Sequence, residues 1–270
     1  MCRWLAYSGP PVFLDSALFK PENSLIRQSL RALEGRHVTN GDGFGVGWYG
    51  ERQQPGLFRD TLPAWNDENL HSIAEQIKCG LFLAHVRAST ASSTARVNCH
   101  PFRHENWLFM HNGEIGGFSM IRRSLSIQIA PELYANIQGA TDSEIFFYLL
   151  LSNGIGSDPV AALRRAISIV LRARSDHGID DPFSLAAAFS DGRTVYAIRY
   201  ADSDDQPSLY YGFGMKMDET HVDPEADREK GIFILSEPLD FNSEHWAAVP
   251  PSHMVVAGDG AVALLPFTVE

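Results

Sequence analysis

The distribution of strand and helix patterns along the chain constrains its fold more than any other feature. Apolar runs typical of strands lie at both ends of the chain, and longer helical patterns lie between them. The predicted strands cover residues 3–7, 46–49, 81–86, 107–110, 183–189, 194–200, 209–213, 231–235, 254–257 and 261–265. The two main helices are predicted at about 145–151 and 158–175. We therefore predict an α+β fold in which helices pack on sheets in layers, with Pro10 and Pro11 ending the first strand.

Composition bounds the domain number and the partners. The chain has 270 residues, of which 44% are hydrophobic, and no linker-like stretch divides it, so we predict one domain spanning residues 1–270. With 22 Lys and Arg against 33 Asp and Glu, the formal net charge is −11, which argues against nucleic acid or an anionic membrane surface as a partner.

The cellular compartment is predicted from the N-terminus and the cysteines. No basic region followed by an apolar run opens the chain, so we do not expect a secretory signal. The chain also lacks an apolar stretch long enough for a membrane span. Its three cysteines form no disulfide pattern, so we expect a cytoplasmic protein in which Cys79 and Cys99 are inert buried thiols.

Cys2 is the first residue with a distinctive chemical signal. It follows Met1, and its side chain is small enough for Met1 to be trimmed. Trimming would leave an α-amine and a thiol on the same residue. An α-amine titrates near pH ~8 and acts as a base at neutral pH, whereas a thiol becomes a strong nucleophile once its proton is taken. Cys2 could therefore be nucleophile and base together, or its position could be chance.

Arg87 ends a predicted buried strand and is followed by the hydroxyls of Ser89 and Thr90. A guanidinium in that setting is suited to binding a carboxylate through two hydrogen bonds. The alternative is that Arg87 pairs with a structural acid.

Two further polar positions each allow two interpretations. Asn112 and Gly113 follow a predicted strand, where an amide side chain and an unshielded backbone N–H could form an oxyanion hole. The same dipeptide is also typical of a hairpin turn. Asp142 lies in a capping-box pattern, Thr141-Asp142-Ser143-Glu144, so it could bind a substrate ammonium or simply stabilise the first turn of a helix.

The sequence predicts no metal site and no cofactor. His100 and His104 are four residues apart, but Pro101 and the loop setting argue against a helical metal pair. Residues 45–50 match G-x-G-x-x-G, yet no helical pattern follows them, so the context for nucleotide binding is missing.

Five motifs follow one another along the first half of the chain. They are Cys2; His85-x-Arg87 with Thr90; Asn98-x-His100-Pro101; His111-Asn112-Gly113-Glu114-Ile115; and Thr141-Asp142-Ser143-Glu144. Their order and spacing resemble those of class II glutamine amidotransferases, which are N-terminal-nucleophile hydrolases. The resemblance implies a four-layer αββα sandwich, with two antiparallel sheets between helix layers.

The resemblance also implies a role for each matching residue. Cys2 would attack the γ-amide carbon with its own α-amine as base, and Asn112 with the N–H of Gly113 would hold the oxyanion. Arg87, helped by Thr90, would bind the α-carboxylate of the substrate, and Asp142 would bind its α-ammonium. His85 and His100 would support the site.

The chain departs from the large synthases of this family, which begin Cys-Gly-Ile. It begins Cys2-Arg3-Trp4-Leu5-Ala6-Tyr7 and ends at Glu270 without room for an acceptor domain. With residues 41–49 and Ser236-Glu237-Pro238-Leu239, it resembles the stand-alone branch, which includes γ-glutamyl hydrolases of ergothioneine biosynthesis and a subunit of a fungal glutathione-degrading complex.

Three functional hypotheses follow. The first is hydrolysis of the γ-amide of glutamine or of a γ-glutamyl compound through a Cys2 thioester, which releases glutamate and either ammonia or an amine. The second is a glutaminase subunit that delivers ammonia to a separate acceptor protein. The third is a catalytically silent binding or regulatory domain of the same fold. The sequence indicates a small-molecule substrate but not the leaving group or the oligomeric state.

Overall fold

The computed structural model describes residues 2–34, 38–89, 93–204, 206–213 and 231–269. Met1, which is expected to be trimmed, and Thr90, which is a predicted substrate-binding residue, lie outside these residues. The strands are β1 Arg3–Phe13, β2 Phe44–Tyr49, β3 Gly56–Asp60, β4 Lys78–Val86, β5 Phe102–His104, β6 Trp107–Ile115, β7 Phe183–Ser190, β8 Thr194–Ala201, β9 Tyr210–Phe213, β10 Ile232–Leu235, β11 Ala247–Ala248, β12 His253–Gly258 and β13 Ala261–Pro266. The α-helices are α1 Leu14–Leu18, α2 Leu25–Leu30, α3 Glu68–Gln76, α4 Phe118–Ser126, α5 Pro131–Tyr134, α6 Asp142–Ser152 and α7 Pro159–Asp176.

The described strands form two antiparallel sheets. The first has the order β11-β9-β10-β1-β4-β2-β3, and the second has the order β13-β12-β8-β7-β6-β5. Strand β1 lies between β10 and β4, so residues at its N-terminal end have neighbours on both sides. The strand order therefore puts the start of the chain at the middle of the first sheet.

Three apolar cores separate four layers. Side chains of a strand alternate between its two faces, so Trp4 and Ala6 enter a core between the sheets, whereas Leu5 and Tyr7 pack against α1 and α3. On the other side, α4, α6 and α7 pack on β6 and β7 around Phe109, Phe146 and Phe183. The predicted αββα sandwich is confirmed.

Local signals explain where the main helices begin. Asp158 caps α7 by accepting a hydrogen bond from Ala161 N, and Pro159 occupies the first helical position, where its missing N–H costs nothing. Thr141 caps α6 by accepting from Glu144 N at 3.1 Å. The predicted capping box is only half formed, because the Glu144 carboxylate accepts from the backbone of Gln138 and Gly139 instead.

The expectation that Pro10 and Pro11 end the first strand is wrong. Strand β1 continues to Phe13, and its register against β4 shifts between Ser8 and Val12. A bulge of this kind accommodates residues that cannot donate to the ladder.

Within the described residues, no helix is both long and apolar enough to span a bilayer.

Candidate active site

Cys2 lies immediately before β1, half-buried against the end of β4. Its Sγ accepts a hydrogen bond from Ala88 N at 3.4 Å and donates to Ala88 O at 3.5 Å. Burial raises the pKa of the Cys2 thiol, and the nearby cations of Arg87 and Arg3 oppose that rise. The thiol is therefore held in place but needs a base to remove its proton.

Asn112 approaches Cys2 from the opposite sheet. Its side-chain Nδ2 donates to the Cys2 carbonyl oxygen at 2.7 Å, and only 2% of the residue is exposed. A primary amide carries two N–H donors, so one remains for another acceptor. Strand β6 runs through Asn112 to Ile115, so the hairpin-turn interpretation of Asn112 and Gly113 is wrong.

Gly113 has a backbone conformation that other residues rarely adopt. Its φ is 132°, and a Cβ at this position would collide with the carbonyl oxygen of Ser184 on the neighbouring strand β7. The residue next to Asn112 is therefore restricted to glycine by backbone geometry and by space.

Arg87 follows β4 directly and is 4% exposed. Its Nη1 donates to Asp42 O at 3.3 Å, and its Nη2 donates to Ser89 Oγ at 3.1 Å and to Ser93 O at 3.4 Å. The Asp42 carboxylate in turn accepts from Ser89 N at 2.7 Å. Arg87 directly precedes Ala88, the residue whose backbone contacts the Cys2 thiol.

Asp142 is the first residue of α6, which confirms that it belongs to a first helical turn. Its Oδ2 accepts from Ile115 N at 2.9 Å, and its Oδ1 accepts from Ser143 N at 2.8 Å. Because Ile115 ends β6, this carboxylate joins the start of α6 to the strand that carries Asn112. Its role toward an ammonium stays a prediction.

His85 and His100 are neighbouring rings, with centroids 4.4 Å apart and ring planes inclined by 41°. Both are buried, and their ring nitrogens make no hydrogen bond to the described residues. Burial lowers the pKa of His85 to about 3 and lowers the pKa of His100 well below its usual value. Both rings are therefore neutral at physiological pH.

Asn98 connects two loops that border the site. Its Nδ2 donates to Ser93 O at 2.9 Å, and its Oδ1 accepts from Ala140 N at 3.1 Å.

Cys79 and Cys99 are buried free thiols, as predicted. In the described part of the chain, no three potential metal ligands come together.

Several residues that hold the site together received no role from the sequence. Asp42 supports Arg87 and Ser89, and its only signal was a place in the glycine-rich segment 41–50. His111 Nδ1 lies 2.9 Å from Ser143 Oγ, which links β6 to α6. Arg3 Nη1 donates to Cys2 O at 2.9 Å, although Arg3 was noted only as a departure from Cys-Gly-Ile.

Comparison of the fold with solved structures defines the class of protein. A glutamine aminotransferase class-II domain protein from Silicibacter pomeroyi is 36% identical, with a TM-score of 0.76 over 99% of this chain and 100% of that one. A glutamine phosphoribosylpyrophosphate amidotransferase from B. subtilis, 14% identical, shares the fold with a TM-score of 0.67 over 100% of this chain and 50% of its own. The architecture is that of the N-terminal-nucleophile glutamine amidotransferases.

The model of the family "Glutamine amidotransferases class-II" matches residues 22–269, and the chain belongs to that family. It is 36% identical to the probable glutamine amidotransferase DUG3 of Saccharomyces cerevisiae, over 100% of this chain and 85% of that protein. It is also 25% identical to the γ-glutamyl-hercynylcysteine sulfoxide hydrolase of Mycolicibacterium smegmatis, over 99% of this chain and 100% of that protein.

Proposed function

We propose that this protein hydrolyses the γ-amide bond of γ-glutamyl compounds, with Cys2 as an N-terminal nucleophile. The observation that carries the proposal is the convergence of two segments on Cys2. Asn112 of β6 donates to its carbonyl oxygen, and Ala88, next to Arg87 at the end of β4, contacts its thiol. A nucleophile, an amide donor and a cation thus lie at one point.

The proposed reaction has two halves. After removal of Met1, the α-amine of Cys2 takes the thiol proton, and the thiolate attacks the γ-carbonyl carbon to form a C–S bond. The free N–H of Asn112 and the backbone N–H of Gly113 stabilise the negative oxygen that develops. The C–N bond then breaks, and the leaving nitrogen takes the proton from the α-ammonium. Water cleaves the remaining thioester and releases glutamate.

Two charged side chains are assigned to the α-carboxylate and the α-ammonium of the substrate. We propose that Arg87 binds the α-carboxylate of the substrate and that Asp142 binds its α-ammonium. The burial of Arg87 supports this assignment, because a charge-assisted hydrogen bond is stronger where water is excluded. Thr90, predicted to help Arg87, lies outside the described residues. His85 and His100 would act as supports, since both rings are buried and neutral.

The leaving group distinguishes two members of the same reaction class. We favour an amine over ammonia because the mycobacterial relative is, by its name, a hydrolase of a γ-glutamyl conjugate, and it matches this chain over its full length. A single domain spanning residues 1–270 would act alone in that case.

The free thiols of Cys79 and Cys99 suit a reducing compartment, so we include a cytoplasmic location in the proposal, which cell fractionation would test.

A second candidate function is glutamine hydrolysis with delivery of ammonia to a separate acceptor protein. The yeast relative favours it, because that protein is named as a probable glutamine amidotransferase. In that case the preferred substrate would be free glutamine, and a partner would be needed to use the ammonia.

Glutamate release from a matched substrate panel tests both candidates. The panel contains L-glutamine, γ-glutamylcysteine, glutathione and a γ-glutamyl aryl amide, with a Cys2→Ala variant as the control. Intact mass of the same sample verifies the removal of Met1. Preference for the larger amides supports the stand-alone hydrolase, and preference for glutamine supports the ammonia-delivering enzyme. No turnover by a correctly trimmed protein contradicts both.

A further inference from the structure

Two segments that set this chain apart from the large synthases meet in space. They are the N-terminal run that begins Cys2-Arg3-Trp4 and the segment that begins Ser236-Glu237. Trp4 N donates to Ser236 Oγ at 3.2 Å, and Ser236 N donates to Trp4 O at 2.9 Å. Arg3 Nε donates to the Glu237 carboxylate at 3.1 Å. The residue after the nucleophile is therefore tied to the end of β10 by an ion pair.

The guanidinium of Arg3 has a second acceptor, which is Cys2 itself. Arg3 Nη1 donates to the Cys2 carbonyl oxygen at 2.9 Å, on the same oxygen that receives Asn112 Nδ2 at 2.7 Å. Arg3 is 1% exposed and Glu237 is 2% exposed, so neither is free to reorient in solvent. The carbonyl of the nucleophile residue is thus held by two donors, one from each sheet.

Glu237 is itself fixed by several donors. Its carboxylate accepts from Asn23 Nδ2 at 3.1 Å, from Leu33 N at 3.1 Å and from Glu34 N at 3.0 Å. These groups come from the chain on either side of α2. Because the acceptor of Arg3 is held this way, the direction of the guanidinium is set before any substrate binds.

We propose that Arg3 is a positioning residue that, with Glu237, fixes the orientation of the Cys2 α-amine and thiol toward the oxyanion-stabilising groups. This inference rests on the proposed function. Arg3 acts through the Cys2 carbonyl and does not touch the reacting atoms. A glycine at this position, as in Cys-Gly-Ile, could supply neither donor, so this chain orients its nucleophile in a way open only to the Cys-Arg sequence.

The chemistry of arginine accounts for the choice of residue. Its planar guanidinium presents donors at fixed angles, so Nε can serve Glu237 while Nη1 serves Cys2 O. A lysine at this site would carry the same charge but not the same geometry. A buried ion pair adds little to stability in general, because desolvation offsets the attraction between the charges. The geometry that this pair imposes is therefore the better explanation for it.

Steady-state kinetics of Arg3→Met and Arg3→Lys on the best γ-glutamyl substrate test the proposal. We expect kcat to fall about 10–100-fold in Arg3→Met with KM nearly unchanged, because a displaced nucleophile costs rate more than binding. Arg3→Lys should recover the pH dependence of the wild type but only part of its kcat. Intact mass must verify that Met1 is removed from each variant.

Arg174→Met is the matched control. Arg174 forms an ion pair with Asp202 in the helix layer of the second sheet, and it is also largely buried. Its loss should lower stability without changing kcat of the folded fraction. An equal fall of kcat in Arg174→Met would mean that the effect of Arg3 is general destabilisation, which overturns the proposal. Wild-type kcat in Arg3→Met, or in Arg3→Lys if Arg3→Met does not fold, overturns it too.

A second readout separates failure of this inference from failure of the proposed function. The rate of Cys2 alkylation by iodoacetamide, followed on the N-terminal peptide across pH, needs no turnover. We expect Arg3→Met to slow alkylation at neutral pH and to move its midpoint upward, because a cation near the thiolate is lost. If the wild type hydrolyses no substrate, the proposed function fails, and this profile still tests Arg3. An unchanged profile overturns the proposal, because it would mean that Arg3 affects neither the Cys2 thiol nor the α-amine that takes its proton.

Discussion

Asn112 Nδ2 lies 2.7 Å from the carbonyl oxygen of Cys2, although Asn112 belongs to the second sheet and Cys2 immediately precedes β1 of the first. This hydrogen bond joins the middle of β6 to the beginning of β1. The bond uses one of the two N–H groups of the Asn112 amide, and the other N–H remains for another acceptor. The hydrogen bond places an amide donor next to the residue that we propose as the nucleophile, as the proposed oxyanion-stabilising role requires.

Replacement of Asn112 by alanine should reduce kcat. Loss of one oxyanion donor typically lowers kcat by about 10²–10³-fold, and KM should change much less because the donor acts on the transition state. Asn106→Ala is the control, since the side chain of Asn106 donates to Asp191 O near the turn between β7 and β8. Steady-state kinetics would contradict the role of Asn112 if both variants kept wild-type kcat.

Replacement of Arg87 by alanine should raise KM strongly. A desolvated charge-assisted contact with the substrate carboxylate is worth ~2–5 kcal/mol, which corresponds to a KM increase of about 30-fold or more. Arg103→Ala is the matched control, because Arg103 is exposed and donates to Pro55 O. An unchanged KM in a folded Arg87→Ala protein would remove the carboxylate-binding role.

Gly113→Ala should destabilise the protein and abolish turnover. The φ of 132° disfavours any side chain, and the new Cβ would collide with Ser184 O, so we expect a loss of about 1–3 kcal/mol or more in urea unfolding. Gly156→Ala is the control, because a Cβ there meets no heavy atom within 4 Å. Equal stability of the two variants would argue against the described conformation of Gly113.

Stability should fall as the solution becomes acidic, because three histidines are buried in neutral form. Burial lowers the pKa of His85 to about 3 and also lowers the pKa values of His100 and His111. Below the unfolded-state pKa of about 6.5, these histidines bind protons in the unfolded chain but not in the folded chain. Their contribution to the free energy of unfolding is therefore fully present above about pH 6.5. For His85 it is lost as the pH falls toward its folded-state pKa of about 3.

Each such histidine contributes a slope of up to about 1.4 kcal/mol per pH unit in the free energy of unfolding. Urea unfolding between about pH 6.5 and about pH 4.5 measures it. His85→Leu should reduce the slope, whereas a change at the exposed His71 should not. A slope that His85→Leu leaves intact would mean that His85 titrates normally in the folded protein.

The sequence predicted those elements whose signals are local. Helix α7 was predicted because Val160, Leu163, Ile167 and Val170 recur on one face, and its start follows from Asp158 and Pro159. Strand β3 was missed because all its residues are half-buried, so no alternation shows in the sequence. Helix α4 was missed because it begins after Gly117, without a capping side chain.

Features that depend on residues far away in the chain were misinterpreted or left no pattern in the sequence. A glycine shortly after a helical pattern is typical of a helix end, but α3 ends at Gln76 and Gly80 lies in β4, where a Cβ would come within 2.7 Å of Gly9 O. The motifs around Cys2, Arg87, Asn112 and Asp142 predicted the candidate site residues, whose catalytic and binding roles stay predictions. They did not reveal Glu237, because its partner Arg3 is 234 positions away in the chain.

The proposed reaction requires Cys2 to carry the γ-glutamyl group as a thioester. The most direct test is rapid acid quenching during turnover of a γ-glutamyl substrate, followed by mass spectrometry of the intact protein and of its N-terminal peptide. We predict an adduct with the mass of one γ-glutamyl group on Cys2 of the trimmed wild type, none in Cys2→Ala, and none on the buried thiols of Cys79 and Cys99. Glutamate release without an adduct on Cys2, or release that persists in Cys2→Ala, would contradict the account.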